Sequence, residues 1–260
     1  SDGRDTPEAM VRRYAELGHD FLMISDHDGV TDTGGLDPRG MVLLPGNEVW
    51  GGGPHVLDVG ARKRIGWGGR LQPMLDAINS ESGFPVLAHP NWGEDFNHFP
   101  VGELLALANY AGIEIYNGTC LHSSGSHLAL DKWDLLLSAG RKVWGYAGDD
   151  AHMAIHAGLG WNVVRARSRT PEAILQALRS GSFYASCGVR IEEIRCEGPV
   201  VTVRAPNAQR IAVVGRFGAR IHAVEGPNLR FDTADVMQPY IRIECYGAAE
   251  QAAWTQPLMI

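Results

Sequence analysis

Histidines and carboxylates recur in this chain at the ends of short apolar runs. Phe21–Ser25 breaks into Asp26, His27 and Asp28, and Met41–Leu44 is followed shortly by Glu48. Pro85–Ala88 ends in His89, Gly112–Tyr116 in Asn117, and Lys142–Tyr146 leads to Asp149, Asp150 and His152. Charged groups at the end of a buried strand are costly to desolvate unless something compensates them, and a metal ion is the usual compensation. Each group taken alone has a plainer explanation, as a turn carboxylate, a helix cap or a surface histidine. Five such endings together point to one site. A mixed imidazole and carboxylate set suits zinc, manganese or iron, and the lack of nearby cysteine argues against a purely structural zinc site. A carboxylate such as Glu48 is suited to bridge two ions, the arrangement used for hydrolysis.

Positioning these groups requires elements that bring the strand ends together. Four-residue apolar runs are too short for helices and read as strands buried on both faces. Helices are expected between them. One starts at Thr6-Pro7-Glu8, with threonine as N-cap and proline in the first turn, and closes at Gly18. Others are expected near 71–82, over 100–111, over 127–139, and from Thr170-Pro171 to Gly181. Strand alternating with helix predicts an α/β fold with a parallel sheet, closing into a barrel. In such a barrel the C-terminal strand ends share one face, where active sites lie.

From about residue 189 the pattern changes to alternating segments (191–195, 200–204, 210–214 and 240–245) with no long helical pattern. This predicts a barrel over 1–188 and a small antiparallel β domain over 189–260. The chain has 260 residues, 45% of them hydrophobic, and a net charge of −7, so long nucleic acid or an anionic membrane is not the expected partner. A small-molecule substrate is expected instead. Cys120, Cys187, Cys196 and Cys245 are scattered without CxxC spacing, which predicts reduced thiols and a cytoplasmic protein. No run approaches the length of a membrane span.

In order and spacing, Ser1–Glu8, Gly18–Asp28, Gly46-Asn47-Glu48, Ala88-His89-Pro90 and Gly148–His152 resemble the successive motifs of the PHP (polymerase and histidinol phosphatase) superfamily of metal-dependent hydrolases. The resemblance covers roughly residues 1–188. A looser likeness, in 240–244 and 253–257, is to PHP proteins grouped with carbaryl hydrolases. The resemblance implies a distorted (β/α)7 barrel holding one to three divalent ions. It also implies hydrolysis of a small phosphate mono- or diester, with carbamate, ester or amide hydrolysis as the alternative.

Carried over by motif, Asp2, His27, Glu48, His89, Asp150 and His152 fall on metal-ligand positions. Asp26 falls where it would orient an imidazole, and His55 on the substrate or metal side. Asn117 stands where relatives often place a further ligand, with His122 and His127 as alternatives. His19, His98, His156 and His222 are expected to be surface or loop residues. The family pattern begins with a strand ending in His-x-His before Ser-Asp-Gly, so the resemblance makes the first barrel strand missing here. The expectation is then a reduced site, weak activity or simple metal binding, and an open strand edge prone to homo-oligomer contacts.

Overall fold

The computed structural model describes residues 2–260; Ser1, the first residue of the Ser-Asp-Gly motif, lies outside them. The first part of the chain runs α1 (Pro7–Glu16), β1 (Phe21–Ile24), β2 (Val42–Val49), β3 (Val56–Val59), α2 (Leu71–Glu81), β4 (Phe84–Leu87), α3 (Val101–Ala106), β5 (Gly112–Asn117), α4 (Leu130–Ser138), β6 (Trp144–Gly148), β7 (Trp161–Val164), α5 (Pro171–Ser180) and β8 (Phe183–Ser186). Then follow β9 (Glu193–Glu197), β10 (Val200–Arg204), β11 (Arg210–Val214), β12 (Arg220–Glu225), β13 (Asn228–Asp232), β14 (Tyr240–Tyr246), β15 (Ala252–Thr255) and β16 (Leu258–Met259).

Local chemistry sets several boundaries. The hydroxyls of Thr6 and Thr170 each accept the N–H three residues on, at 3.3 Å, and so cap α1 and α5. Gly181, at φ +77°, ends α5 in the left-handed conformation open to glycine. The helix expected over 100–111 stops at Ala106. Leu107 turns extended (ψ 150°), and the Gln72 side chain binds both the N–H and the carbonyl of Ala108.

Strands β1 to β6 form one six-stranded sheet in chain order, curled into half a barrel. It is not all parallel. β1–β2, β4–β5 and β5–β6 pair parallel, whereas β3 runs antiparallel to both β2 and β4. The short loop from Val49 to Val56 allows only a hairpin, because a parallel return needs a crossover of a dozen or more residues. β7 does not extend this sheet; it pairs with β8, which pairs with β15, in a sheet ordered β12-β11-β14-β15-β8-β7. A three-stranded antiparallel sheet, β13-β10-β9, completes the C-terminal part. The antiparallel β character expected after residue 189 is therefore present, and its sheet also takes in two strands from before that residue.

The core beneath the curled sheet gathers Leu75, Ile78, Leu87, Phe99, Ile113, Ile115, Trp133 and Leu136 with Tyr240 and Trp254 from the C-terminal strands. A buried ion network joins the two parts. Arg242 on β14 reaches Asp134 on α4 through two hydrogen bonds, Nε to Oδ1 at 2.8 Å and Nη2 to Oδ2 at 2.7 Å, and Glu244 at 2.5 Å. Its guanidinium also lies 5.2 Å from the centre of the Trp133 ring. All four cysteines are free, and no helix among the described residues is long and apolar enough to cross a membrane.

Removing Asp134 leaves the buried Arg242 guanidinium with Glu244 as its remaining carboxylate partner and takes away both of its bonds to α4. Asp134→Ala is therefore expected to lower unfolding stability by about 3–5 kcal/mol in urea denaturation. A loss under ~1 kcal/mol would show that Arg242 does not hold β14 to α4.

Candidate metal centre

Beyond the end of β1 the parallel ladder continues for one more step. Glu48 N–H donates to the Asp26 carbonyl (3.0 Å) and Asp28 N–H to the Glu48 carbonyl (2.9 Å), which sets His27 beside Glu48. Gly46 permits this close approach: a Cβ there would lie 2.8 Å from Met23 Cγ and 2.9 Å from the Ile24 carbonyl oxygen. Because β3 is antiparallel, its start, not its end, lies on this rim. His55, just ahead of β3, thus comes to the rim where its ring can reach Glu48, and its carbonyl accepts from Ala88 N–H (3.1 Å), one residue before His89.

The Glu48 side chain is buried among imidazoles. His55 Nδ1 lies 2.8 Å and His89 Nε2 3.4 Å from Glu48 Oε1, while His27 Nδ1 is 3.9 Å from Oε2. Burial alone would raise the Glu48 pKa; the hydrogen bonds and charges of His55 and His89 outweigh it and hold the carboxyl well below the usual range. Burial likewise lowers His89, but the Glu48 hydrogen bond and the charges of Glu114, Asp150 and Glu48 reverse the sign and raise it.

On the other side, Asp2 faces His27 (3.6 Å to Nε2) and His152 (3.2 Å to Nε2). His152 Nδ1 lies 2.8 Å from the Asp150 main-chain carbonyl, so it carries the proton. In the neutral ring Nε2 then presents a lone pair to the Asp2 carboxylate, an arrangement that needs a proton or a cation between them. Asp150 lies beside this group, its Oδ1 3.8 Å from His152 Nδ1 and its Oδ2 accepting from Asn117 Nδ2 at 3.3 Å. Burial, with the Glu48 charge added, raises the Asp150 pKa.

The residues fit a divalent ion. Asp2, His27 and His152 form one set whose ligand atoms lie within 4.8 Å of one another, and His27, Glu48 and His55 form a second; His55, His89 and His98 also cluster, but His98 Nε2 is taken by the His55 N–H. The buried Nδ1 atoms of His27 and His89 have no hydrogen-bond partner in the protein. A buried imidazole nitrogen without a partner calls for one, and a bound ion is a suitable explanation. Three non-glycine residues of the rim, Asp28 (φ 52°), His89 (φ 31°) and Asp150 (φ 52°), have left-handed backbone, which side chains adopt at a cost and which gathers at functional sites.

Asp2, Asp26, His27, Glu48, His89, Asp150 and His152 all line one cavity of about 930 Å3. Asp26 lines it without meeting an imidazole closely; its carboxylate accepts from the Thr31 hydroxyl. Asp149 is structural. Its carboxylate accepts from Tyr14 OH (2.6 Å) and from the N–H groups of Gly158, Leu159 and Gly160 (2.6–2.7 Å). His122 stacks on His156, and His127 meets the edge of Tyr116; neither belongs to the clustered sets. His222 stacks on Phe231 in the C-terminal part.

The sequence reading missed two residues. His98, expected to be a surface or loop residue, does lie in a loop, but it packs against His55 and His89 with ring centres 4.9 and 4.8 Å away, and its Nε2 accepts the His55 N–H at 3.0 Å. The only hint is its place among Trp92, Phe96 and Phe99 soon after His89. Glu114, one charged residue inside the apolar run of β5, lies under the centre. It accepts from His89 N–H (2.8 Å) and Asn117 Nδ2 (2.9 Å), and burial pushes its pKa up to about 7. Gly148 leaves it room: a Cβ there would come within 2.8 Å of Glu114 Oε1. Asn117 thus holds two carboxylates in place.

Comparison with protein-family models and with curated proteins finds no match. Among solved structures the fold is similar to a two-domain protein from Bacteroides vulgatus containing a predicted PHP-like metal-dependent phosphoesterase. That likeness has a TM-score of 0.54 at 15% identity and covers 99% of this chain and 92% of the other. It extends through both parts of the chain and establishes a shared fold.

Ligating imidazoles must lose their protons, and His89 and His152 hold theirs above the usual histidine value, burial being outweighed by neighbouring carboxylates. Zinc or cobalt affinity is accordingly expected to rise with pH through and beyond the ordinary histidine range, with proton release seen calorimetrically in buffers of different ionisation enthalpy. Affinity that stays flat from pH 6 to 8 would contradict a centre built on these two rings.

Proposed function

We propose that this chain is a metal-dependent hydrolase of the PHP type, acting on a small phosphate mono- or diester. The observation that carries the reading is the buried Glu48 carboxylate held among His27, His55 and His89, beside the separate Asp2, His27 and His152 set. Asp2, His27 and His152 on one side, and Glu48 with His55 on the other, would suit one or two divalent ions. A bound divalent ion would supply Lewis acidity, polarising the ester oxygen and lowering the pKa of water.

The protein's own groups supply the rest. Glu48 accepts a hydrogen bond from His55 Nδ1, which fixes the ring and would leave His55 Nε2 free to hold an ion. The Asp150 main chain does the same for His152 through Nδ1. The Asp150 carboxyl, steadied by Asn117 and shifted up by burial, is placed at the cavity wall to take a proton from attacking water. The net charge of −7 favours a small substrate over long nucleic acid.

The alternative, an aryl carbamate or ester, draws on the aromatic side chains near the centre. Trp50, 45% exposed, lies 5.3 Å from the His27 ring and 5.7 Å from that of His55, so a flat apolar leaving group has a surface to rest on. The same surface suits an aryl phosphate.

The test is turnover of the metal-loaded protein on aryl phosphates, phosphodiesters and aryl carbamates in parallel. Phosphate-ester turnover that is abolished by chelation and restored by zinc or manganese is expected. Asp150→Asn should lower kcat by about a hundredfold or more; metal that stays bound would mark Asp150 as the base, and metal lost with it would mark it as a ligand. Turnover of carbamates alone would give the alternative, and metal binding without any turnover would make this a binding domain.

A further inference from the structure

Lys132 is buried, 3% exposed, in the first turn of α4. That is a poor place for a cation: burial costs solvation, and the helix N-terminus repels positive charge. Burial lowers its pKa, opposed by the charges of Asp131 and Asp95. A methionine would fill similar space without these costs, so the ammonium calls for a reason.

Its contacts supply one. Nζ donates to the carbonyls of Pro90 (2.7 Å), Phe96 (3.0 Å) and Phe99 (2.7 Å), which uses all three of its protons. These carbonyls belong to the loop that leaves His89 and carries His98. Within the loop, His98 N–H donates to the Trp92 carbonyl (3.2 Å) and Phe99 N–H to that of Pro90 (3.1 Å), folding it back toward the centre. The Asn91 side chain ties the same loop to the approach of α4, donating to the Leu128 carbonyl at 2.9 Å and Asp131 at 2.7 Å. His98 Nε2 then accepts the main-chain N–H of His55, whose ring bonds Glu48. That lone pair is spent on His55, so His98 supports the centre in this arrangement rather than ligating it.

We propose that Lys132 is a positioning residue: it clasps the 90–99 loop from behind and so sets His98 against the main chain of His55, fixing the imidazole that faces Glu48. The chain of contacts runs from ammonium to carbonyls, to loop, to His98, to His55, with no direct touch between Lys132 and the centre. This rests on the metal-centre reading but not on the reaction assigned to it.

The test uses cobalt(II), whose visible absorption reports ligand geometry directly and requires no substrate. Lys132→Met is expected to bind cobalt about 10- to 100-fold more weakly, the usual effect of losing a group that orients a ligand, with an altered visible band. His98→Ala should give a similar loss. The double variant should be no weaker than the worse single one, because both changes break one chain of contacts. Lys132→Arg serves as the second variant if Lys132→Met does not fold. Its planar fork cannot meet the same three carbonyls, so weaker binding is again expected. Wild-type affinity and spectrum in a folded Lys132 variant, or losses that simply add in the double variant, would overturn the proposal. Wild-type protein that binds no cobalt would instead remove the metal centre itself, and the proposal with it.

Discussion

The rim of the sheet is organised by the burial of one carboxylate. Glu48 is almost withdrawn from water, and its negative charge is tolerable only because His55 and His89 reach it and His27 lies close by. That requirement fixes much else. β1 must run alongside β2 far enough to place His27, β3 must turn back so that His55 meets Glu48, and β4 must deliver His89 from the opposite side. In return the carboxylate raises the proton affinity of His89, so the same charge that makes the cluster possible makes it a competitor for protons.

Much of this was legible in the sequence. Short apolar runs gave β1, β4, β5 and β6, and the polar residues after them fall on the rim, as expected for a sheet whose strand ends converge. Direction was not legible. A period of two or a buried run reports exposure, not parallel or antiparallel pairing, so the hairpin from β2 to β3 stayed hidden although the loop length signalled it. His98 was missed for a related reason: beyond its aromatic neighbours, nothing local distinguishes a histidine packed on other histidines from one left in solvent. Glu114 left a clearer trace, since a lone acid within an apolar strand must be satisfied somewhere. Asp149, one of the strand-end carboxylates, is the opposite case. It looks like a ligand, yet its oxygens are spent on Tyr14 and on three main-chain N–H groups of the following turn.

The two parts of the chain share more than a boundary. β8 pairs with β15, Arg242 bonds Asp134, and Tyr240 and Trp254 enter the core beneath the curled sheet. α4 therefore has two duties, receiving Arg242 through Asp134 and carrying Lys132 only two residues earlier.

The left-handed residues of the rim carry a consequence for how this protein can change. At Asp28, His89 and Asp150 the backbone would rest more easily with glycine, yet two of those side chains belong to the site and the third receives the N–H groups of Trp50 and Gly51. Asp28 is held by those hydrogen bonds, but selection for heat resistance alone would push His89 and Asp150 toward glycine, and the proposed chemistry would pull them back. Under the proposed function, a lineage released from that reaction should record the release first at His89 and Asp150, by drift to glycine, before its apolar core changes at all.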